Sequence, residues 1–212
     1  MKLQEYLDRI LAVYSKGDFY DEVKRAREEF FNQVGQVAEG SEKFESQMNA
    51  FLDWYLYDRP LEKSEICPVK MFVFDHLKNV PSDQHEIYHD LTKSNHSIFE
   101  MLKVKGSDVY LKDLFSGEKY IVEDSDINLG FTKGDVFEGR LIRFKDRLVF
   151  GNSFVFHPKE VKSFINKEIK KVKSLEPKAH LKLMHRLAMM RIKADQYSHI
   201  DVVHIYTESP LF

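Results

Sequence analysis

The sequence predicts an α+β fold with an N-terminal helical layer, a small antiparallel β-sheet or barrel, and C-terminal helices. Apolar residues recur at helical spacing up to residue 96 and again after residue 158. Between them, residues 97–157 consist of β-branched and aromatic runs bounded by turn residues. The chain has 212 residues, 43% of them hydrophobic. We therefore expect the three regions, 1–96, 97–157 and 158–212, to share one core as a compact unit.

Three amphipathic helices are predicted in the first sixty residues. Their apolar stripes cover residues 3–14, 23–37 and 44–55, and they are followed by Gly17, Gly40 and Pro60. Helices joined by short loops favour an antiparallel layer. We expect the single tryptophan, Trp54, to be buried where this layer meets the rest of the chain. Pro68 is typical of the first turn of a further short helix.

Five runs predict the strands: residues 96–104, 108–114, 119–123, 136–144 and 147–151. Turn sequences such as Lys105-Gly106-Ser107-Asp108 separate them and favour hairpins. Helical stripes return over residues 161–172 and after Pro177. The tail holds one more candidate strand, residues 202–206 (VVHIY).

Composition excludes several classes of protein. A single cysteine, Cys67, leaves no internal disulfide and no thiolate zinc knuckle within one chain. The longest apolar run is Met71–Phe74, far too short to cross a membrane. The N-terminus carries charged residues where a signal peptide needs an apolar run. We expect a protein of the bacterial cytoplasm with no cofactor and no membrane partner.

One motif needs separate treatment. Residues His85-Glu86-Ile87-Tyr88-His89 match His-Glu-x-x-His, in which two histidines of one helix face bind zinc and the glutamate polarises water. We interpret it instead as a surface helix. Ser82 or Asp83 is the expected N-cap, Asp83 and Glu86 fit a capping box, the flanks are polar, and no third ligand stands out. A zinc-dependent hydrolase remains the second alternative function.

Positive charge is concentrated near the C-terminus. Residues 159–195 hold 11 basic and 4 acidic side chains, although the whole chain has a net charge of −2. This segment favours an anionic partner, a protein rather than a nucleic acid. The leading hypothesis is a non-catalytic binding or adaptor protein. Its predicted contact surface is a basic C-terminal helical face formed by Lys162, Lys167, Lys170, Lys171 and Lys173.

Nucleic-acid binding is the first alternative. A small curved sheet with exposed Phe, Tyr and Arg side chains would suit single strands, and four of these lysines would suit phosphates: Lys167, Lys170, Lys171 and Lys173. The slightly acidic chain as a whole argues against it.

From Phe51 onward the sequence resembles a group of uncharacterised bacterial proteins, over roughly residues 51–165. The matching residues are Phe51, Trp54, Asp58, Ser97, Glu100, Leu111, Asp113, Leu114, Gly117, Tyr120, Val122, Gly134, Asp135, Arg140 and Leu141. Some members carry the small metal-ligating motif known from the C-terminus of the SecA translocase, whose cysteine cluster this sequence lacks. The resemblance implies no activity. We interpret its residues as architecture: Gly117 and Gly134 suit turns, and Asp113 and Asp135 can accept local backbone N–H groups.

Overall fold

The computed structural model describes residues 2–41, 43–125, 130 and 132–208, and it has the predicted α+β architecture. The N-terminal helices are α1 (Leu3–Tyr14), α2 (Tyr20–Val34), α3 (Phe44–Tyr57), α4 (Pro68–His76) and α5 (His85–Leu91). The strands are β1 (Ser94–Lys105), β2 (Asp108–Asp113), β3 (Lys119–Val122), β4 (Val136–Phe144) and β5 (Arg147–His157). The C-terminal helices are α6 (Lys162–Val172), α7 (Pro177–Gln196) and α8 (Val202–Ile205). None of the described helices is long and apolar enough to cross a membrane.

The five strands form one open antiparallel sheet in the order β3-β2-β1-β4-β5. Of the two forms that the sequence left open, the sheet is therefore confirmed and the closed barrel is wrong. The first strand begins at Ser94, two residues before the predicted run 96–104, and β5 continues to His157, six residues past the predicted run 147–151.

Three helices cover the predicted apolar stripes of the N-terminal layer, but α2 ends at Val34 with Gly35 as its C-cap residue and does not continue to residue 37 as predicted. Helix α3 ends at Tyr57, directly before Asp58-Arg59-Pro60, and Pro68 occupies the first turn of α4. The Tyr55 hydroxyl donates a hydrogen bond to the Tyr14 carbonyl at 2.6 Å, which joins α3 to the end of α1. The Arg59 guanidinium joins the same region to α2 through Glu22, at 3.0 Å.

The two faces of the sheet are buried in different ways. On one face, side chains from the strands pack against each other as the sheet curves, with Phe99, Phe137 and Phe150 at the centre. On the other face, helices from both ends of the chain cover the strands: α3 contacts β5, α5 contacts β4, and α7 contacts β1 and β5. Strand β4 is consequently buried along almost its whole length. This second face holds the candidate site.

The strand predicted in the C-terminal tail, residues 202–206, is wrong. Residues 202–205 form the short helix α8 and not a strand. The Asp201 carboxylate accepts the Val203 backbone N–H at 3.1 Å and so caps a helical turn. That turn buries Ile205 and Tyr206 against the C-terminal helices, which compensates for the β-branched residues that favour a strand.

Candidate functional site

A row of polar side chains lies on the helix-covered face of the sheet. His96 of β1 pairs with Arg140 of β4, and Ile98 pairs with Glu138. Paired residues in an antiparallel sheet share a face, as do residues two apart in a strand, so His96, Glu138 and Arg140 lie side by side. In an ordinary half-buried sheet such a row would face water. Here it lies beneath α3.

Arg140 is the centre of this network and is only 2% exposed. Its Nε donates to Asp53 at 2.8 Å, one Nη donates to Asp58, and the other donates to the Ser94 hydroxyl at 3.1 Å. The guanidinium also lies 4.5 Å from the centroid of the Tyr57 ring. Burial would lower the pKa of Arg140, but the two carboxylates outweigh burial and raise it. Burial likewise acts to raise the pKa of Asp58, and Arg140 and His96 hold it well below its usual range.

His96 connects two carboxylates. Its Nδ1 lies 3.0 Å from Asp58 Oδ2, and its Nε2 lies 3.1 Å from Glu138 Oε1. Burial and the neighbouring Arg140 both act to lower the pKa of His96, yet the carboxylates raise it to about 9. The imidazolium form therefore predominates at neutral pH, and both ring N–H groups donate hydrogen bonds.

The network is not fully satisfied. Three carboxylates (Asp53, Asp58 and Glu138) face two cations, which leaves an excess of one negative charge. Within the described residues, Glu138 Oε2, His157 Nε2 and His185 Nε2 are buried without a hydrogen-bond partner. Burial lowers the pKa of His185, and it lowers that of His157 to about 4, so both rings are neutral at pH 7. Unpaired buried acceptors are uncommon and indicate a missing donor.

A β-bulge makes room for the Arg140 side chain. Gly139 pairs with Phe154 and Leu141 pairs with Phe150, so three residues of β5 lie opposite Arg140 alone. The first of them is Gly151. A Cβ atom there would lie 3.4 Å from both Arg140 Cβ and Asp53 Oδ1, at the edge of ordinary van der Waals contact, so β5 passes close to the ion pair at this glycine.

The ligand atoms of Asp53, Asp58 and His96 lie within 4.8 Å of one another, close enough to share a metal ion. However, the Arg140 guanidinium already donates to both aspartates, and His96 is protonated. A divalent cation would have to displace the guanidinium and remove the imidazole proton. Asp53, Asp58 and His96 are therefore better suited to holding the Arg140 guanidinium than to binding a metal ion.

Two cavities adjoin the network. The cleft, of about 1300 Å³, lies between α2, α3, the start of α4, the start of β1 and α7. The pocket, of about 240 Å³, lies between α2, α3, β5 and α7. Trp54, His96 and His185 line both cavities and so separate them. Trp54 is 4% exposed, which confirms its predicted burial.

The lining of the cleft is strongly basic. It includes six lysine or arginine side chains but only two acidic ones, Glu29 and Asp58. Lys70, Lys178 and Lys182 are exposed. No salt bridge links these three lysines to an acidic side chain in the part of the chain that the structure describes.

The five lysines of the predicted contact face lie elsewhere, on or just after α6, and none lines the cleft. Lys162 is half-buried and pairs with Glu100 at 2.8 Å. Lys167 and Lys171 are exposed and share Glu208, at 2.7 and 3.0 Å. Lys170 and Lys173 are exposed and have no acidic partner among the described residues. Much of the charge on this face is thus neutralised within the chain.

The HEIYH segment lies in α5, which begins at His85 with Gln84 as its N-cap residue and no side-chain cap. The predicted cap at Ser82 or Asp83 is therefore wrong, because Ser82–Gln84 form a separate 3-10 turn. His85 Nε2 lies 2.8 Å from the Val80 carbonyl oxygen, while Glu86 and His89 are exposed. Among the described residues, the side chains close enough to share a metal ion are Asp53, Asp58 and His96, and none of them belongs to HEIYH.

Sequence reasoning missed most of the network. Asp58 and Arg140 were noted only as part of the resemblance and were interpreted as architecture, whereas Asp53, Glu138 and His185 were not singled out. One signal was available. The run VFEGRLIRF places Glu138 and Arg140 at alternate positions of a strand, and a buried strand with two charges on one face requires partners.

Comparison with known proteins adds a family and nothing about activity. Residues 19–187 match a family model described as "Family of unknown function (DUF7986)". Searches of curated proteins and of solved structures found no match to this chain.

Proposed function

The chain belongs to this family of unknown function, and from the geometry of its cleft we propose that it is a non-catalytic binding protein that takes up an acidic segment of a partner protein. The observation that carries the proposal is the lysine triad, Lys70, Lys178 and Lys182, on the lining of the cleft. Each is exposed without an acidic partner in the described residues, so each is available to a carboxylate from another chain.

The size and the apolar part of the cleft favour a peptide segment over a small metabolite. A cavity of about 1300 Å³ exceeds the roughly 300–1,000 Å³ that is usual for small-molecule sites. Leu181, Met184 and Met189 of α7 contribute apolar surface between the charged groups. Methionine side chains adapt to partners of differing shape. An acidic segment with interspersed apolar residues would match this lining.

The chemistry of the site supports binding rather than catalysis. His96 does not fit a general base, which needs a free, unprotonated nitrogen, because it is protonated and both its nitrogens contact carboxylates. His185 Nε2 is unprotonated, but it has no hydrogen-bond partner among the described residues, so none of their hydroxyl or thiol groups is positioned against it as a nucleophile. Cys67 lines the cleft, and burial raises the pKa of its thiol, which disfavours the nucleophilic thiolate.

Nucleic-acid binding has less support. The exposed aromatic side chains among the described residues, Tyr20 and Phe74, both lie on helices and not on the sheet. The predicted stacking platform for single-stranded bases is therefore lacking in that part of the chain.

The test uses two labelled probes: a twelve-residue peptide of alternating Asp-Glu pairs and leucines, and a dT12 oligonucleotide. The first variant reverses the lysine triad (Lys70→Glu, Lys178→Glu and Lys182→Glu). The matched control, Lys167→Glu, Lys170→Glu and Lys171→Glu, makes the same change of charge on the outer face of α6. Fluorescence anisotropy measures the affinity of each variant for both probes.

We expect the acidic peptide to bind the wild type and the α6 control alike, and to lose at least tenfold in affinity for the triad variant. If the α6 control loses affinity and the triad variant keeps it, the contact surface is the basic helical face predicted from the sequence. Tighter binding of dT12, falling steeply with salt, would favour a nucleic-acid partner. Any of these last results contradicts the proposed cleft.

A further inference from the structure

We propose that the pocket is a second binding site, which takes a small ammonium ligand bearing a compact apolar group. This proposal is independent of the proposed function, because it depends on a different cavity and on the opposite sign of ligand charge. The pocket and the cleft share a wall but differ in chemistry. The cleft offers free cations, whereas the pocket offers free acceptors.

Two aromatic rings form part of the pocket lining, those of Phe30 and Trp54, whose centroids are 5.4 Å apart. The rings of Phe154 and Phe156 pack against Phe137 on the other face of the sheet. Aromatic faces attract cations, most strongly where water is excluded. They also bury the apolar substituent of a ligand. A volume of about 240 Å³ limits the ligand to a small molecule.

Two unpaired acceptors give the ligand its polar anchor. Glu138 and His185 both line the pocket, and both are more than nine-tenths buried. Glu138 Oε1 accepts from His96, while Glu138 Oε2 has no partner among the described residues. His185 Nδ1 lies 2.6 Å from Gln33 Oε1, an acceptor, so Nδ1 carries the ring hydrogen. Nε2 is then left as a second acceptor without a partner in the described chain. A group with several N–H donors satisfies both.

The excess negative charge around Arg140 favours an ammonium ligand over a neutral hydrogen-bond donor. The three carboxylates around Arg140 and His96 exceed the cations by one, so a cation beside Glu138 neutralises the excess charge of this buried network. The other charged residues of the lining carry one net positive charge, since Lys43 and Arg191 share Asp195, but their side chains are 24–55% exposed. Water screens them far more than it screens Glu138.

Three ligands of one shape test the proposal: benzylammonium, benzyl alcohol and benzoate. Calorimetry measures their affinities at pH 7.5, and the emission of Trp54 reports occupancy of the pocket that it lines. Glu138→Gln removes the negative charge at nearly constant shape. Glu123→Gln makes the same change at an exposed position and serves as the matched control. Ala188→Leu fills the pocket from α7 and leaves every network residue in place.

We expect benzylammonium to bind one per chain, at least tenfold more tightly than benzyl alcohol, and benzoate not to bind the pocket. Glu138→Gln and Ala188→Leu should each weaken benzylammonium at least tenfold, while Glu123→Gln should not. If Glu138→Gln fails to fold, Ala188→Leu decides alone. Equal affinities for benzylammonium and benzyl alcohol would overturn the proposal, and so would no binding of benzylammonium to the folded wild type. Unchanged binding by Ala188→Leu would place the ligand elsewhere and overturn it too.

Discussion

Protonation of His96 should make the stability of this protein fall in the alkaline range. The folded environment raises the pKa of His96 from 6.5 to about 9. A base with a higher pKa in the folded state stabilises the protein fully below the unfolded pKa. That stabilisation is lost as the pH rises through the folded value. The window is therefore pH 6.5 to about 9.

The size of the effect follows from the two pKa values. One pKa unit corresponds to about 1.4 kcal/mol, so the rise from 6.5 to about 9 corresponds to roughly 3 kcal/mol. The His96 side chain is 12% exposed, so solvent screening reduces this figure little. The groups that set it are the carboxylates of Asp58 and Glu138, opposed by burial and by Arg140.

The assay is denaturant unfolding of the wild type and of His96→Gln between pH 6 and pH 9. The variant keeps a side chain that can donate one hydrogen bond, but it cannot carry the charge. We expect the free energy of unfolding of the wild type to fall by roughly 3 kcal/mol more than that of the variant. Groups common to both proteins cancel in this difference. His157→Gln is the control, because the pKa of His157 is lowered to about 4 and this residue therefore loses no stabilisation as the pH rises from 6.5 to 9.

Parallel stability curves for the wild type and His96→Gln would refute the reasoning, since the pKa of His96 would then be the same in the folded and unfolded states. An independent check is the NMR titration of the His96 ring, whose midpoint should lie near pH 9. A midpoint near 6.5 would mean that burial and Arg140 cancel the effect of the carboxylates, and a lower midpoint would mean that they outweigh it.

Two further predictions concern packing and metal. Trp54→Ala should lower the free energy of unfolding by roughly 3–5 kcal/mol, as truncation of a large buried aromatic does, and the native wild type should have a blue-shifted emission; a solvent-like emission maximum would contradict the packing described here. Purified protein should carry no stoichiometric zinc at residues 85–89, because His85 contacts a backbone carbonyl and His89 is exposed. Elemental analysis that finds about one zinc per chain, lost in His85→Ala and His89→Ala, would restore the hydrolase alternative.

Local interactions account for what the sequence predicted well. The stripes of α1 to α3, the turn glycines and Pro68 depend on residues within a few positions of one another, so their periodicity can be read directly. Asp113 and Asp135 accept nearby backbone N–H groups, at 2.8 Å from Phe115 and 2.6 Å from Thr132, as expected from their turns. The α8 segment failed because its burial, and not its propensity, determines its conformation.

The sequence by itself determined the α+β class, the presence of five successive strands and the burial of Trp54. Only the tertiary structure decided which face of β4 the helices cover, and hence that Glu138 and Arg140 are buried partners rather than solvated charges. Arg140 meets Asp53 and Asp58 across 87 and 82 residues of chain. No periodicity records such a pairing, because the period of a strand defines two faces but not which of them is covered. The cleft and the pocket have the same origin, since both arise where helices from opposite ends of the chain meet over one sheet.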